Sequence, residues 1–540
     1  MDQELWGRSL QEWEENHKRH VPLWFDEAIW GHRLYDQATP ELIFLEFLNI
    51  VAFFERTGTE EFRDNSYIGM KSLLLRFLVF NNPVLKEAWD KPVEERWPFF
   101  KKRICEHWNS LNYDKNREPS YFNYLQDNFQ DFGKFFELIK LLQANAIEFL
   151  SNKRWTSQFL FPFCEKTLFL DLSCKDGYSP DRRFFGRTGE LVFLMLQRSG
   201  CWDEIKAKLH DQIFDNSVSH IQRWNQAIQL LIPPDYDEST DQTKDVDIGY
   251  YPYDEHPLCV QFGKDLLALL DSGMPEYDAL PYLADWIAFY VGHYFLAASQ
   301  DDFFVPVEGA DSPKLVTYFI EIQSRSNDLI RKLSVKQYKI NDSLSEDRVK
   351  RELEWFVDQQ ELQQLVMAND PNAVLDHLNK QGWVGRKGEM EKLRKSFKPS
   401  DSADKKKRDI KNLLSEHRDK ILKRHGQHLA NIHAISFKGC GLATKRGTNQ
   451  YRYAPTDSFI KTMILANVTK RMEYSNFVNQ LFNKYGFVIG KTEAQLVENN
   501  QDLSLFDMNE DRFKRRLQSL GFLRVLSDDC SFVINRYRDQ

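Results

Sequence analysis

Apolar residues recur three and four positions apart along most of this chain. In PELIFLEFLNIVAFFERTG, Pro40 to Gly58, they line one face of a helix, and Gly58 supplies a stop. YIGMKSLLLRFLVFNN (67–82) and FGKFFELIKLLQANAIEFLSNK (132–153) carry the same period. TLFLDL, Thr167 to Leu172, is short enough for a strand, and the KDGYSPD that follows is turn-rich. A helix is expected from Thr188 through GELVFLMLQR, ending at Gly200. DYDESTDQTKDVDIGYYPYDEHP, Asp235 to Pro257, is acidic and follows a Pro-Pro pair, which suits a surface loop or junction. Helical periodicity resumes at Phe262 and continues to about Leu378. It returns in IKNLLSEHRDKILKRHGQHLANIHAI, after a polar break within KPSDSADKKKRDIKNLL.

The pattern changes near the C-terminus. SFKGCGLATKRGTNQYRYAP (436–455) reads as a short β element with a basic turn. A helix follows Pro455, capped by Thr456 or Asp457, pairing Phe459 with Met463 and Ile460 with Ile464. A second places Tyr474, Phe477, Val478, Leu481 and Tyr485 on one face and ends at Gly486. A third is expected from Asn509, with Glu510 and Asp511 in its first turn and an apolar stripe of Phe513, Leu517 and Leu520. Gly521 ends it, and two strand-like runs, FLRVL and SFVINRY, close the chain.

This periodicity predicts a mainly α protein with a smaller α+β unit at its end. A length of 540 residues suggests about three or four domains. The expected divisions are an acidic aromatic-rich helical domain at 1–234, a second helical domain at 256–380, a basic helical linker region at 381–430 and the C-terminal unit at 431–540. Hydrophobic residues at 42%, including 41 Phe and 13 Trp, exclude a disordered chain. The aromatic residues have no fixed period, so they read as core packing rather than a solenoid repeat. The most apolar long window, YLADWIAFYVGHYFLAA, is interrupted by Asp285 and His293, which predicts a buried helix and no membrane partner. No apolar secretory segment opens the chain. Seven scattered cysteines without a CxxC suit a reduced, cytoplasmic setting and give no structural zinc spacing.

Charge changes the picture more than composition does. The formal net charge is −8, yet 381–540 carries 31 Lys and Arg against 18 Asp and Glu, leaving 41 against 62 for the rest. An acidic body with a basic C-terminal third points to a polyanionic partner for that third. Between Arg386 and Arg424, 15 basic residues face seven acidic ones, with Lys405, Lys406, Lys407 and Arg408 consecutive.

Three helices followed by a hairpin resemble a winged helix in element order and spacing. The link FVIGKTEAQLVENNQDLSLFD, between the second and third helices, departs from a compact example by its length. The resemblance implies a third helix that docks in the major groove of duplex DNA. With Phe513, Leu517 and Leu520 inward, 100° per residue turns Asp511, Arg512, Arg515, Gln518 and Ser519 outward. Arg515 and Gln518 would then meet base edges, while Arg512, Lys514 and Arg516 would reach phosphates. Arg524, Arg536 and Arg538 would add cations on or beside the wing.

Signals for catalysis are weaker. GRTGE, Gly186 to Glu190, has Arg182, Arg183 and Arg187 nearby but lacks both GxxxxGK[ST] and GxGxxG, so a tight turn pairing Glu190 with an arginine is expected instead of a phosphate site. His425, His428 and His433 lie near Cys440 without an accompanying HExxH, which favours surface histidines over a metal. Glu389 and His433 could serve as acid and base only if folding joined them. Nothing implies a cofactor. The stretches FFGRTGELVFLMLQRSG and YAPTDSFIKTMILANV…FVNQLFNKYGFVIG resemble segments of large uncharacterised proteins of multi-gene bacterial anti-phage defence systems. That resemblance implies an accessory DNA-binding subunit, working beside other protein subunits and without its own catalytic centre. Two other classes stay open: a nuclease or nucleotide-dependent effector with a dispersed site, and a scaffold that contacts only protein.

Overall fold

The computed structural model describes residues 29–57 (save 31, 33, 35 and 37), 83–110, 118–143, 172–173, 179–180, 188–231 (save 216), 256–300, 315–380 (save 325–327 and 369), 410–497 (save 446–449) and 503–538 (save 528–529). The helix expected at 67–82 and Lys405 to Arg408 lie outside the described residues, as do Arg182, Arg183, Gly186, Arg187 and Glu389.

The fold is mainly helical. Helix α1 (Pro40–Thr57) packs against α2 (Thr188–Gln197) and against α4 (Glu276–Ala297). Helix α3 (Pro257–Leu270) lies beside α4, and α5 (Leu329–Val357) beside α6 (Ile410–Gly439). Helices Val93–Ser110 and Phe132–Gln143 meet through aromatic rings, with Trp97 5.0 Å from Phe132 and 5.1 Å from Phe135. Short ladders join β1 (Leu172–Ser173) to β2 (Ser179–Pro180), and β4 (Ala443–Thr444) to β5 (Arg452–Tyr453). No helix among the described residues is long and apolar enough to cross a membrane. The apolar window around Asp285 and His293 is α4, whose aromatic residues Trp286, Phe289, Tyr290 and Tyr294 are fully buried.

Of GRTGE, Thr188, Gly189 and Glu190 are described, in the first turn of α2. Gly189 sits in the first turn of α2 where that helix crosses α1 at close quarters. A Cβ there would lie 2.5 Å from Glu46 Cβ and 2.6 Å from the Phe47 backbone nitrogen. The Gly189 amide donates to Glu46 Oε2 at 2.7 Å, so a carboxylate of the chain already sits where a phosphate would bind. Glu190 is buried with His32, Nε2 to Oε1 3.2 Å, while the arginines expected to pair with it lie outside the described residues. Gly189→Ala should therefore destabilise the protein by about 1–3 kcal/mol, because backbone stands in the way of the new methyl group. Urea unfolding would measure the loss.

The C-terminal unit runs α7 (Asp457–Asn467), β6 (Arg471–Glu473), α8 (Tyr474–Tyr485), β7 (Phe487–Val488), α9 (Lys491–Val497), α10 (Ser504–Ser519), then the hairpin β8 (Leu523–Ser527) and β9 (Cys530–Ile534). Thr456 caps α7, accepting from the Phe459 amide at 3.2 Å, and Gly486 ends α8 at φ 73°. The buried face of α8 is the expected set of Tyr474, Phe477, Val478, Leu481 and Tyr485. Strand β9 is central, flanked by β6 and β8, and both pairings are antiparallel.

The long link has a structural use. Its start, β7, pairs in parallel with β3 (Tyr318–Phe319), so the unit contributes a strand to the body. A single cluster of buried residues extends from Ile29 to Val533. Helix α6 passes without interruption through 430 and 431, where the sequence reading placed a domain boundary.

Candidate nucleic-acid interface

Helix α10 begins at Ser504, earlier than the acidic residues after Asn509 suggested. Phe506 extends the inward stripe by a turn, so the buried positions are Phe506, Asn509, Phe513 and Leu517. Asn509 works from inside the fold. Its Oδ1 accepts the Ile322 amide at 2.9 Å, while its Nδ2 donates to Ile320 O (2.8 Å) and Ile489 O (3.0 Å). It thereby satisfies backbone groups flanking the β3–β7 pair that the two short strands leave over.

Rotation about α10 follows the expected geometry. Asp511, Arg515, Gln518 and Ser519 are exposed, and Arg512, Lys514 and Arg516 are half-buried at the edges. The expectation that these three reach phosphates meets a competing contact in each case. Arg512 Nη1 bonds Asp328 Oδ2 at 2.9 Å. Lys514 Nζ bonds Glu510 Oε1 at 3.0 Å and lies 4.7 Å from the centre of the Tyr474 ring. Arg516 Nε bonds Asp457 Oδ1 at 2.8 Å, joining the end of α10 to the start of α7. Phosphate contact would require each to leave a carboxylate of its own chain. Arg515, Arg524 and Arg536 are exposed and meet no carboxylate among the described residues. Arg536 stands near the end of α10, its Nη1 3.4 Å from where a Cβ on Gly521 would be. Arg538 is used differently, its guanidinium donating to Asp271 O in the turn after α3. The outer face of α10 is divided, with Asp507 and Asp511 on its first half and Arg515, Gln518 and Ser519 on its second.

Other clusters of chemical groups are closed by their own partners. His433 is buried, with Nδ1 2.7 Å from Asp342 Oδ1 and Nε2 3.2 Å from the Tyr453 hydroxyl. Asn341 Nδ2 donates to that hydroxyl at 2.9 Å. Burial holds the His433 imidazole below its usual range, against the pull of Asp342. His433 is thus a core residue, not the surface histidine expected for it. His428 Nδ1 stands 3.4 Å from Asp36. Among the described residues, no group of three or more His, Cys, Asp or Glu side chains could hold a metal.

Sequence reasoning missed a buried polar cluster centred on Asp265. Asp265, on α3, accepts from Gln261 Nε2 (2.7 Å), Lys484 Nζ (3.0 Å), the Tyr290 hydroxyl (2.7 Å) and the Tyr485 hydroxyl. Asn467 closes it, accepting from Lys484 and from Gln480, each at 3.0 Å. These groups come from α3, α4, α7 and α8, so no local spacing announces them. The only sequence signal is an acidic residue on an apolar helix face.

Set against known proteins, the chain matches no protein family, no curated protein and no solved structure.

Proposed function

We propose that the C-terminal unit is a winged helix that binds duplex DNA, in a protein that acts as a non-catalytic scaffold for other subunits of a bacterial anti-phage defence system. The order helix, strand, helices, hairpin, with the first strand added beside the second hairpin strand, supports the winged-helix part. One observation carries the DNA part: Arg515 and Gln518 share the exposed second half of α10, Arg536 stands near its end, and neither arginine meets a carboxylate among the described residues. The scaffold and defence roles rest on the sequence resemblance and on the acidic character of the body.

Docking is shifted along the helix relative to the sequence expectation. Asp507 and Asp511 would oppose phosphates at the first half of α10, so the second half and the sheet side make the contact. The full chain should bind duplex DNA with affinity that falls steeply as salt rises, in gel shifts across about 50–200 mM. Arg515→Ala should cost about 1–3 kcal/mol of binding and relax any sequence preference. Arg516→Ala should lower the melting temperature while leaving binding close to that of the unaltered protein, because its carboxylate partner is Asp457.

A second reading is favoured by one specific observation. Met508 on α10 is 52% exposed beside Asp507 and Asp511, a combination suited to a protein surface. If Arg515→Ala leaves DNA binding intact while Met508→Asp abolishes association with a partner subunit, the unit is a protein-contact module.

A further inference from the structure

The strand register groups further cations on the sheet, beyond those carried by α10 itself. In the pairing of β6 with β9, Arg471 lies opposite Ile534 and Glu473 opposite Phe532; in the pairing of β8 with β9, Arg524 lies opposite Phe532. Paired residues project to the same face, and side chains alternate along each strand. Arg471, Glu473, Phe532, Ile534 and Arg524 therefore share one face of the sheet. The opposite face is the inner one, with Val533 fully buried and Leu523 nearly so. Arg471 lies over the Phe532 ring at 5.7 Å, so its stem covers the aromatic surface while its charge remains outside.

Two more cations stand at the same end of the sheet. Lys470, exposed, immediately precedes β6, and its carbonyl accepts the Asn535 amide at 2.7 Å. Arg536 follows Asn535 and lies by Gly521 at the start of the hairpin. Ser527 and Cys530, the facing ends of β8 and β9, lie at the other end of the strands. Glu473 is the acid on the outer face, against Arg471 and Arg524. Strand spacings of about 4.8 Å and rises of about 3.4 Å put the Arg471 and Arg524 backbones roughly 12 Å apart, enough to span successive phosphates rather than to share one.

This end of the sheet is also held firmly. Asn535 Nδ2 donates to Ser272 O at 3.0 Å, and a Cβ on Gly273 (φ 78°) would fall 2.9 Å from Tyr537 O. The turn between α3 and α4 therefore grips the chain just beyond β9, and the cations project from an ordered surface.

We infer that Lys470, Arg471, Arg524 and Arg536 form a phosphate-backbone site on the base of the sheet, and that this site carries most of the affinity for nucleic acid, with the second half of α10 adding orientation. The inference rests on the nucleic-acid reading of the C-terminal unit and gives it a site on the sheet. Binding there reads backbone charge and is indifferent to sequence.

The test uses the full chain and two fluorescein-labelled duplexes of unrelated sequence, titrated across about 50–200 mM salt. Lys470→Gln with Arg471→Gln, which removes both charges but keeps a methylene stem over Phe532 at position 471, should weaken binding to both duplexes alike, by roughly ten- to a hundred-fold at low salt, and make the salt slope shallower by about two units. Thermal melting should match that of the unaltered protein. If the double variant binds with unaltered affinity and slope while Arg515→Ala loses binding, the sheet site is refuted and the helix-centred reading stands. If the unaltered protein binds neither duplex at low salt, the nucleic-acid reading falls and takes the sheet site with it.

Discussion

Asp265→Ala should destabilise the protein by about 3–5 kcal/mol, the largest loss expected from any single substitution considered for this chain. Asp265 is 1% exposed and accepts from an ammonium, two phenols and an amide. Removing the carboxylate leaves Lys484 with Asn467 as its remaining acceptor and withdraws the shared acceptor from Tyr290 and Tyr485. Each unsatisfied buried donor costs about 1–3 kcal/mol, and a buried charge without its partner costs more. Asp265→Asn should fall between, since it keeps an acceptor oxygen but presents an NH₂ to one of the donors. The cluster joins the body helices α3 and α4 to α7 and α8 of the C-terminal unit, so urea unfolding should lose stability in one transition, with the unit and the body melting together. A loss below about 1 kcal/mol, or a separate early transition for the unit, would contradict this account of the junction.

Asp285→Asn should act in the opposite direction and depend on pH. Asp285 lies on α4 and accepts the Ser458 hydroxyl at 3.0 Å. Burial pushes its carboxyl up to about 8; the Ser458 hydrogen bond opposes that shift and the charge of Glu41 adds to it. Below the unfolded value near 3.8, both states hold the proton and pH has no effect through this group. Between there and about 8 the unfolded chain ionises while the folded one does not, so stability falls as pH rises, by about 1.4 kcal/mol per unit. Asparagine cannot ionise and still offers an oxygen to Ser458. The substitution should therefore raise stability by roughly 2–4 kcal/mol at pH 7 and by little near pH 4. Melting temperatures at the two pH values would check it; an equal gain at both would show that packing, not titration, is responsible.

Most of the helical pattern was legible because a helix that buries one face must repeat its apolar positions every three to four residues. Pro40–Thr57, Thr188–Gln197 and Tyr474–Tyr485 lie where that rule places them, and Gly486 ends the last by adopting a left-handed backbone. The rotation of α10 was legible for the same reason, which is why Arg515, Gln518 and Ser519 are outside and Phe513 and Leu517 inside. Its start was not. Asn509 looks like a helix cap in sequence, yet it is a buried clasp for backbone groups of Ile320, Ile322 and Ile489, and the first two of these are distant in the chain.

The sequence by itself determined most of the helical segments among the described residues, which residues face out from α10, and that positive charge gathers in the C-terminal third, because these follow from local periodicity and composition. Only the tertiary structure decided which charges stay available. Asp328 and Asp457 engage Arg512 and Arg516 from other elements, Glu46 fills the amide site at the start of α2, and Asp342 and Tyr453 enclose His433. Ion pairs and hydrogen bonds act over a few ångströms in space whatever the separation along the chain, so the pattern that announces a cation cannot announce the carboxylate that folding brings beside it.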